Sequence, residues 1–338
     1  MGDCILDTCN GNPYVCWIKG LAVMPKNIPI RFRDEEAARA HLERLQWPDG
    51  PICPHCGVID RASRIAGGRK GLLFCNACRK QFSVTVGTVF ERSHIPLHTW
   101  LYANHLLCSS KKGISSHQLS RMLGVTYKTA WFMSHRIREA MKPSDDATPL
   151  GGSGEVVEAD ETFIGRADGK TKAKGAGGYG HKRAVLSLTE RGGKIRSFKI
   201  GYPTRHEVGA IIQNNVDPTS VLHTDGSKLY HGLGATAVHE RVDHSKEYVR
   251  KSALVNLANK PWPDVHTNTL EGFFSVFKRG MVGTYQHCGE QHLQRYLAEF
   301  DFRQNNRTAL GIDDTMRAEN ALKGIGGKRL TYRRINAA

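Results

Sequence analysis

Two cysteine pairs, Cys53-x2-Cys56 and Cys75-x2-Cys78 with 18 residues between them, constrain this chain more than any other feature. Each pair places two thiolates on one tight turn, and two such turns close a tetrahedral four-sulfur site for a structural zinc ion. Pro51 to about Phe90 therefore reads as a zinc ribbon that depends on its metal for stability. Within it, Arg61 to Phe74 and Gln81 to Gly87 are rich in β-branched and aromatic residues and predict short strands. His55 sits inside the first turn as a bystander to four thiols. The other five cysteines, Cys4, Cys9, Cys16, Cys108 and Cys288, share no spacing and read as free thiols.

Lysine and arginine exceed the acids by 48 to 32, a formal net charge of +16. Such a surplus favours a polyanionic partner through phosphate neutralisation and counterion release, with nucleic acid ahead of an anionic membrane. No run of about 18 apolar residues exists, and no charged-then-apolar leader opens the sequence, so the expected setting is the cytoplasm, on the nucleoid of a bacterial cell. The 338 residues allow about two domains of ~150 residues beside the small zinc module. The first 23 residues differ in character from the charged, helix-like stretch after Met24, and translation is expected to start there rather than at Met1. Residues 1–50 then form an N-terminal extension with one short helix, headed by Asp34, Glu35 and Glu36 as the helix dipole prefers.

Residues 91–142 are helical by apolar spacing and contain a helix-turn-helix pattern. Ser115 and Gln118 resemble a capping box before Leu119, Met122 and Leu123; Gly124-Val-Thr126 turns into a second helix capped by Thr126. That helix carries Lys128, His135, Arg136 and Arg138 beside Trp131 and Phe132, which suits a groove-reading helix with phosphate contacts at its C-terminal end. A plain helical hairpin packing the ribbon onto the core fits the same spacing.

A linker over 143–155 leads into a region of strands. In Glu155-Val-Val-Glu158-Ala-Asp160-Glu161-Thr-Phe163, alternation sets Val157, Ala159 and Phe163 on one face and Glu158, Asp160 and Thr162 on the other. Gly165 to Arg183 reads as a basic hairpin, and Ala184–Leu188 and Ile195–Ile200 as two further strands. A helix over Glu207–Val216 precedes a strand ending in Asp225. His266 to Arg279 starts another helix, with Leu270, Phe273, Phe274 and Phe277 as its buried stripe and Glu271, Ser275 and Lys278 opposite.

Three acids on such elements in basic surroundings suit two-metal phosphoryl transfer. Magnesium or manganese ions take hard oxygen ligands, activate the attacking oxygen and stabilise the leaving one. Asp160 would bridge the ions, Asp225 and Glu271 would each complete one, and Lys278 would hold a DNA phosphate nearby. Arg279 beside it is a further candidate DNA contact.

These motifs together resemble the ISXO-like group of insertion-sequence transposases, a branch of the DDE transposases. The likeness rests on Cys53-Pro-His-Cys56-Gly, Cys75-Asn-Ala-Cys78-Arg-Lys-Gln-Phe-Ser, Val157-Glu-Ala-Asp160-Glu-Thr, His223-Thr-Asp225-Gly, the run from His266 to Gly280, and Tyr296 to Arg307. It implies an α+β multidomain protein whose core, residues 156–310, is an RNase H-like α/β catalytic domain with a mixed sheet, followed by a basic tail at 311–338. It also implies cleavage of element ends by water, joining of the freed 3′-hydroxyl to target DNA, and at least a dimer on double-stranded DNA. The third catalytic position varies in this family and can be Asn or His, so Asn268 stands as an alternative to Glu271. A DNA-binding regulator with an inert core and a plain metal-dependent nuclease are the competing expectations.

Overall fold

The computed structural model describes residues 28–67, 70–143, 148–171, 178–233, 238–252 and 262–331, with the backbone alone of two short strands at 16–18 and 21–23. It divides into two compact units, one formed by the chain up to Met141 together with the chain from Ile312, the other by Lys142–Gly311. The proposed start at Met24 falls outside the described residues.

In the first unit, β1 (Cys16–Ile18) pairs antiparallel with β2 (Leu21–Val23). Helix α1 (Glu35–Gln46) starts as its sequence requires, the Asp34 carboxylate accepting the Ala37 N–H at 2.7 Å. Strands β3 (Ala62–Arg64), β4 (Leu73–Cys75) and β5 (Gln81–Phe82) form a small antiparallel sheet. The strand expected to continue to Gly87 stops at Phe82. Ser83 to Thr88 turn instead, the Val86 N–H reaching Ser83 O at 3.0 Å and the Ser83 and Thr85 hydroxyls meeting at 3.0 Å.

Helix α2 (Leu97–Ser109) is apolar nearly all round and is buried on most of its surface. The expected helix-turn-helix follows as α3 (Ser116–Leu123) and α4 (Tyr127–Ala140). Ser115 Oγ accepts the Gln118 N–H and Thr126 Oγ1 the Thr129 N–H, each at 3.2 Å. Gly124 between the helices has φ +65°, a left-handed conformation that ends α3 at little cost for glycine.

The second unit is built on a five-stranded sheet. Its strands are β6 (Val156–Ile164), β7 (Arg183–Glu190), β8 (Ile195–Ile200), β9 (Val221–Asp225) and β10 (Val238–Val242), and their order is β10-β9-β6-β7-β8. The first three in sequence form an antiparallel meander, whereas β9 and β10 add in parallel on the other side of β6, so the sheet is mixed. Helix α5 (Arg205–Asn215) covers one face through Val208 and Ile212, packed with Val157, Ala159, Leu186 and Leu222. Helices α6 (Asn268–Gly280) and α7 (Leu293–Asn305) cover the other, where Leu270, Phe273, Phe274, Phe277, Leu297 and Phe300 pack on Val185 and Ile195. Asp160 therefore lies on the α6 side of β6, as the alternation demands.

Helix α8 (Asp314–Lys323) corrects the expectation of a basic tail beginning at residue 311. Asp313 caps it, Ala318, Ala321, Leu322 and the following Ile325 are buried, and Asn104 Nδ2 on α2 donates to Ala318 O at 2.9 Å. The buried apolar residues of α8 explain why it folds back into the first unit. Residues 332–338 lie outside the described residues.

Candidate active site and cysteine centre

The four thiols converge. Sγ of Cys53 and Cys78 are 3.6 Å apart, those of Cys56 and Cys75 3.7 Å, and all four lie within 4.8 Å of one another. Tetrahedral zinc with Zn–S near ~2.3 Å puts sulfurs about 3.8 Å apart, so these residues are positioned to hold a zinc ion. Strand β4 delivers Cys75 as its last residue, and backbone N–H groups, that of Cys78 foremost, draw its thiol down to about 7. Leu73, Phe82 and Trp47 pack against the buried thiols, with the Trp47 and Phe82 rings edge to face at 5.8 Å.

The three acids come from three elements of the second unit. β6 and β9 run parallel with Ala159 opposite Thr224, so Asp160 and Asp225 follow side by side where that ladder ends. Burial raises the Asp160 carboxyl to about 8, and the charges of Glu161, Asp225 and Glu271 push it the same way. Burial also raises Asp225, against the pull of the Ser227 N–H, which its Oδ1 accepts at 3.0 Å, and of His244. Glu271 stands in the first turn of α6, about half exposed, with Oε1 3.8 Å from His244 Nδ1. Asn268, which opens the same turn, is exposed and its N–H points to His266 Nδ1 at 3.3 Å. The carboxylates share one electrostatic field but stand apart: among the described residues, the four cysteines are the group whose ligand atoms reach metal-binding spacing.

Residues 150–305 match the ISXO2-like transposase domain, and residues 33–81 match the transposase zinc-ribbon domain. The chain thus carries a transposase zinc ribbon and an ISXO2-like transposase domain. It is also 26% identical over 294 residues, 82% of this chain and 93% of the relative, to an uncharacterized protein in transposable element ISH50 of Halobacterium salinarum.

The transposase domain holds Asp160, Asp225, Asn268, Glu271, Lys278 and Arg279. Lys278 and Arg279 are exposed on the last turn of α6, and Lys278 shares the solvent side with Glu271. In the first unit, Lys128 is exposed on the first turn of α4. Arg136 and Arg138 are not available as expected. They are 8% and 1% exposed, with Arg136 donating to Glu91 O and Leu330 O and Arg138 donating to Ser134 Oγ. The Arg136 guanidinium lies over the Phe132 and Trp100 rings, at 5.1 and 5.9 Å, and Met133 to Arg138 are all buried, so the C-terminal half of α4 faces inward.

Several groups around the three acids do not stand out in the sequence. Glu158 is wholly buried and accepts from Arg191 Nε at 3.0 Å and from Thr269. Glu161 accepts the hydroxyl of the buried Tyr230 at 2.5 Å. His223, buried beside Arg191, is held neutral, its imidazole lowered to about 3 by burial and neighbouring cations. Alternation of Glu158 with Asp160 was the available signal for the first; Arg191 and Tyr230 carried none.

Among the described residues no helix is long and apolar enough to cross a membrane.

Proposed function

We propose that this chain is the transposase of an insertion sequence, cutting element ends and joining the freed 3′-hydroxyl to target DNA. The observation that carries the proposal is the electrostatics of Asp160, a carboxyl raised to about 8 by burial and by three neighbouring carboxylates. Such a site gains most when cations replace protons, and its donors are all oxygens, the ligand class of Mg2+ or Mn2+. Two such ions would supply activation of the attacking oxygen and stabilisation of the leaving one. Asp160, Asp225 and Glu271 would hold these ions, with Asp160 shared between them. Lys278 holds a backbone phosphate on the Glu271 side of α6.

The mixed sheet, a meander extended by two parallel strands and covered by helices on both faces, supports an RNase H-like core. Lys128 on the first turn of α4 and Arg279 on α6 contact duplex DNA, with the N-terminal turn of α4 meeting the groove as in other helix-turn-helix proteins. Tyr127 there is 47% exposed and stacks on His117 at 4.2 Å, offering a flat contact beside Lys128. Bringing two element ends together requires at least two copies of the chain, acting in the cytoplasm on chromosomal DNA.

The test is magnesium-dependent cleavage and joining of labelled DNA carrying the flanking ends of the gene. Joined product from the native chain, lost in Asp160→Asn and Glu271→Gln but kept in Asn268→Ala, is the expected result. Survival of Glu271→Gln with loss in Asn268→Ala moves the third ligand to Asn268. Cleavage without joining makes the protein a nuclease, and DNA binding without chemistry makes it a regulator.

A further inference from the structure

Asp160 has a carboxylate on either side of it along β6: one grips the helix that carries Glu271, the other the turn that follows Asp225. Glu158 shares the α6 face with Asp160 and is fully buried. Its Oε2 accepts the backbone N–H groups of Thr269 at 3.1 Å and Leu270 at 3.4 Å, while Oε1 accepts the Thr269 hydroxyl at 2.9 Å. These N–H groups belong to the first turn of α6, where a helix has no internal partners for its donors. Thr267, the local capping residue, makes no side-chain cap bond, so the anion at this helix start comes from β6. Arg191 completes the grip, with Nε on Glu158 and its other donors on Asp264 O at 2.8 Å and His266 O at 3.1 Å, in the segment leading into α6. Glu271 follows directly after Leu270.

Glu161 projects to the opposite face. It accepts the hydroxyl of Tyr230, a fully buried residue of the short 3-10 turn Lys228–Tyr230 that follows Asp225. Tyr230 is packed in the α5-side core with Val157, Ala159 and Leu222, so the turn is fixed both by apolar contact and by this bond.

We propose that Glu158 and Glu161 are positioning residues: β6 sets the place of Glu271 through Glu158 and of Asp225 through Glu161, so that one strand aligns all three acids. The inference rests on the three-acid metal site proposed above. A cap serving helix stability alone needs no reach to β6, and a buried phenol needs no carboxylate beside two acids. The stored arrangement makes sense as alignment, since supporting groups one step removed from metal ligands govern affinity.

The test uses Mn2+ titration of the full-length protein followed by electron paramagnetic resonance, beside single-turnover cleavage and DNA affinity. Tyr230→Phe removes one hydroxyl from the core, and Glu158→Gln keeps the shape while losing acceptor capacity at one end. Each is expected to weaken Mn2+ binding about 10-fold and slow cleavage by about 10- to 100-fold. DNA affinity should stay within about 2-fold, and raised metal concentration should restore part of the rate. If Glu158→Gln does not fold, Thr269→Val, which deletes a single bond to Glu158, is expected to give a smaller loss of the same kind. Native Mn2+ affinity in the folded variants, with Asp160→Asn still losing it, overturns the inference and leaves the three-acid site standing. Absence of Mn2+ binding by the native protein overturns both.

Discussion

The buried carboxylate of Asp301 on α7 accepts both the backbone N–H of Ser197 at 2.7 Å and its hydroxyl at 2.6 Å, fastening the helix to β8. Burial raises this carboxyl to about 7 in spite of those two donors. Its folded value thus exceeds the unfolded one, so the stabilising contribution is full below pH ~4 and is lost as pH rises through 7. A rise of that size is worth at most about 4 kcal/mol. Asp301→Asn should flatten the fall in stability between about pH 4 and 8 relative to the native protein, measured by urea unfolding across that range. An unchanged pH slope would refute this account.

Asp160→Asn replaces a carboxyl crowded by three acids with a neutral group of the same shape. In the absence of divalent metal it should raise thermal stability by about 1–2 kcal/mol, a gain of several degrees in Tm, while eliminating cleavage. Calorimetry in the presence of a chelator checks this, and a fall in Tm would show that the carboxylate is structurally needed.

Removing zinc should unfold the ribbon and little else, because its core of Leu73, Phe82 and the buried thiols is too small to stand without the ion. Cys75→Ser is expected to abolish the one bound zinc per chain by elemental analysis and to change the near-ultraviolet signal of Trp47. The proteolytic pattern of residues 142–311 should not change.

Lys128 and Arg136 should separate binding from folding. Lys128→Ala is expected to weaken DNA binding and lower the salt slope by about 1, without altering stability. Arg136→Ala should instead destabilise by about 2–4 kcal/mol, since it empties a buried site lined by Trp100 and Phe132 and leaves the carbonyls of Glu91 and Leu330 without their donor. Fluorescence anisotropy at several salt concentrations, beside chemical unfolding, distinguishes the two.

What could be read in the sequence was whatever repeats at a fixed step. The cysteine spacing, the period-two pattern of β6 and the Leu270–Phe273–Phe274–Phe277 stripe each state their structure locally, and the structure follows them. Strand β10 escaped notice because Val238–Val242 is five residues of mixed polarity whose strand character comes from pairing with β9. The burial of Arg136 and Arg138 was not legible, because a basic residue near an aromatic one looks alike in sequence whether it faces solvent or the core. Glu158 and Thr269 are 111 residues apart, and no local pattern announces a bond between them.

The return of α8 to the first unit makes residues 142–311 an insertion within that unit, with consequences for how the chain is made. Domains generally fold as they leave the ribosome, earliest first. Here the unit that begins first finishes last: until residue 323 or so has emerged, α2 lacks the partner that accepts the Asn104 amide. A chain halted after residue 311 would carry the transposase-domain unit complete beside an unfinished cysteine-bearing one, so both are complete only once α8 has been made.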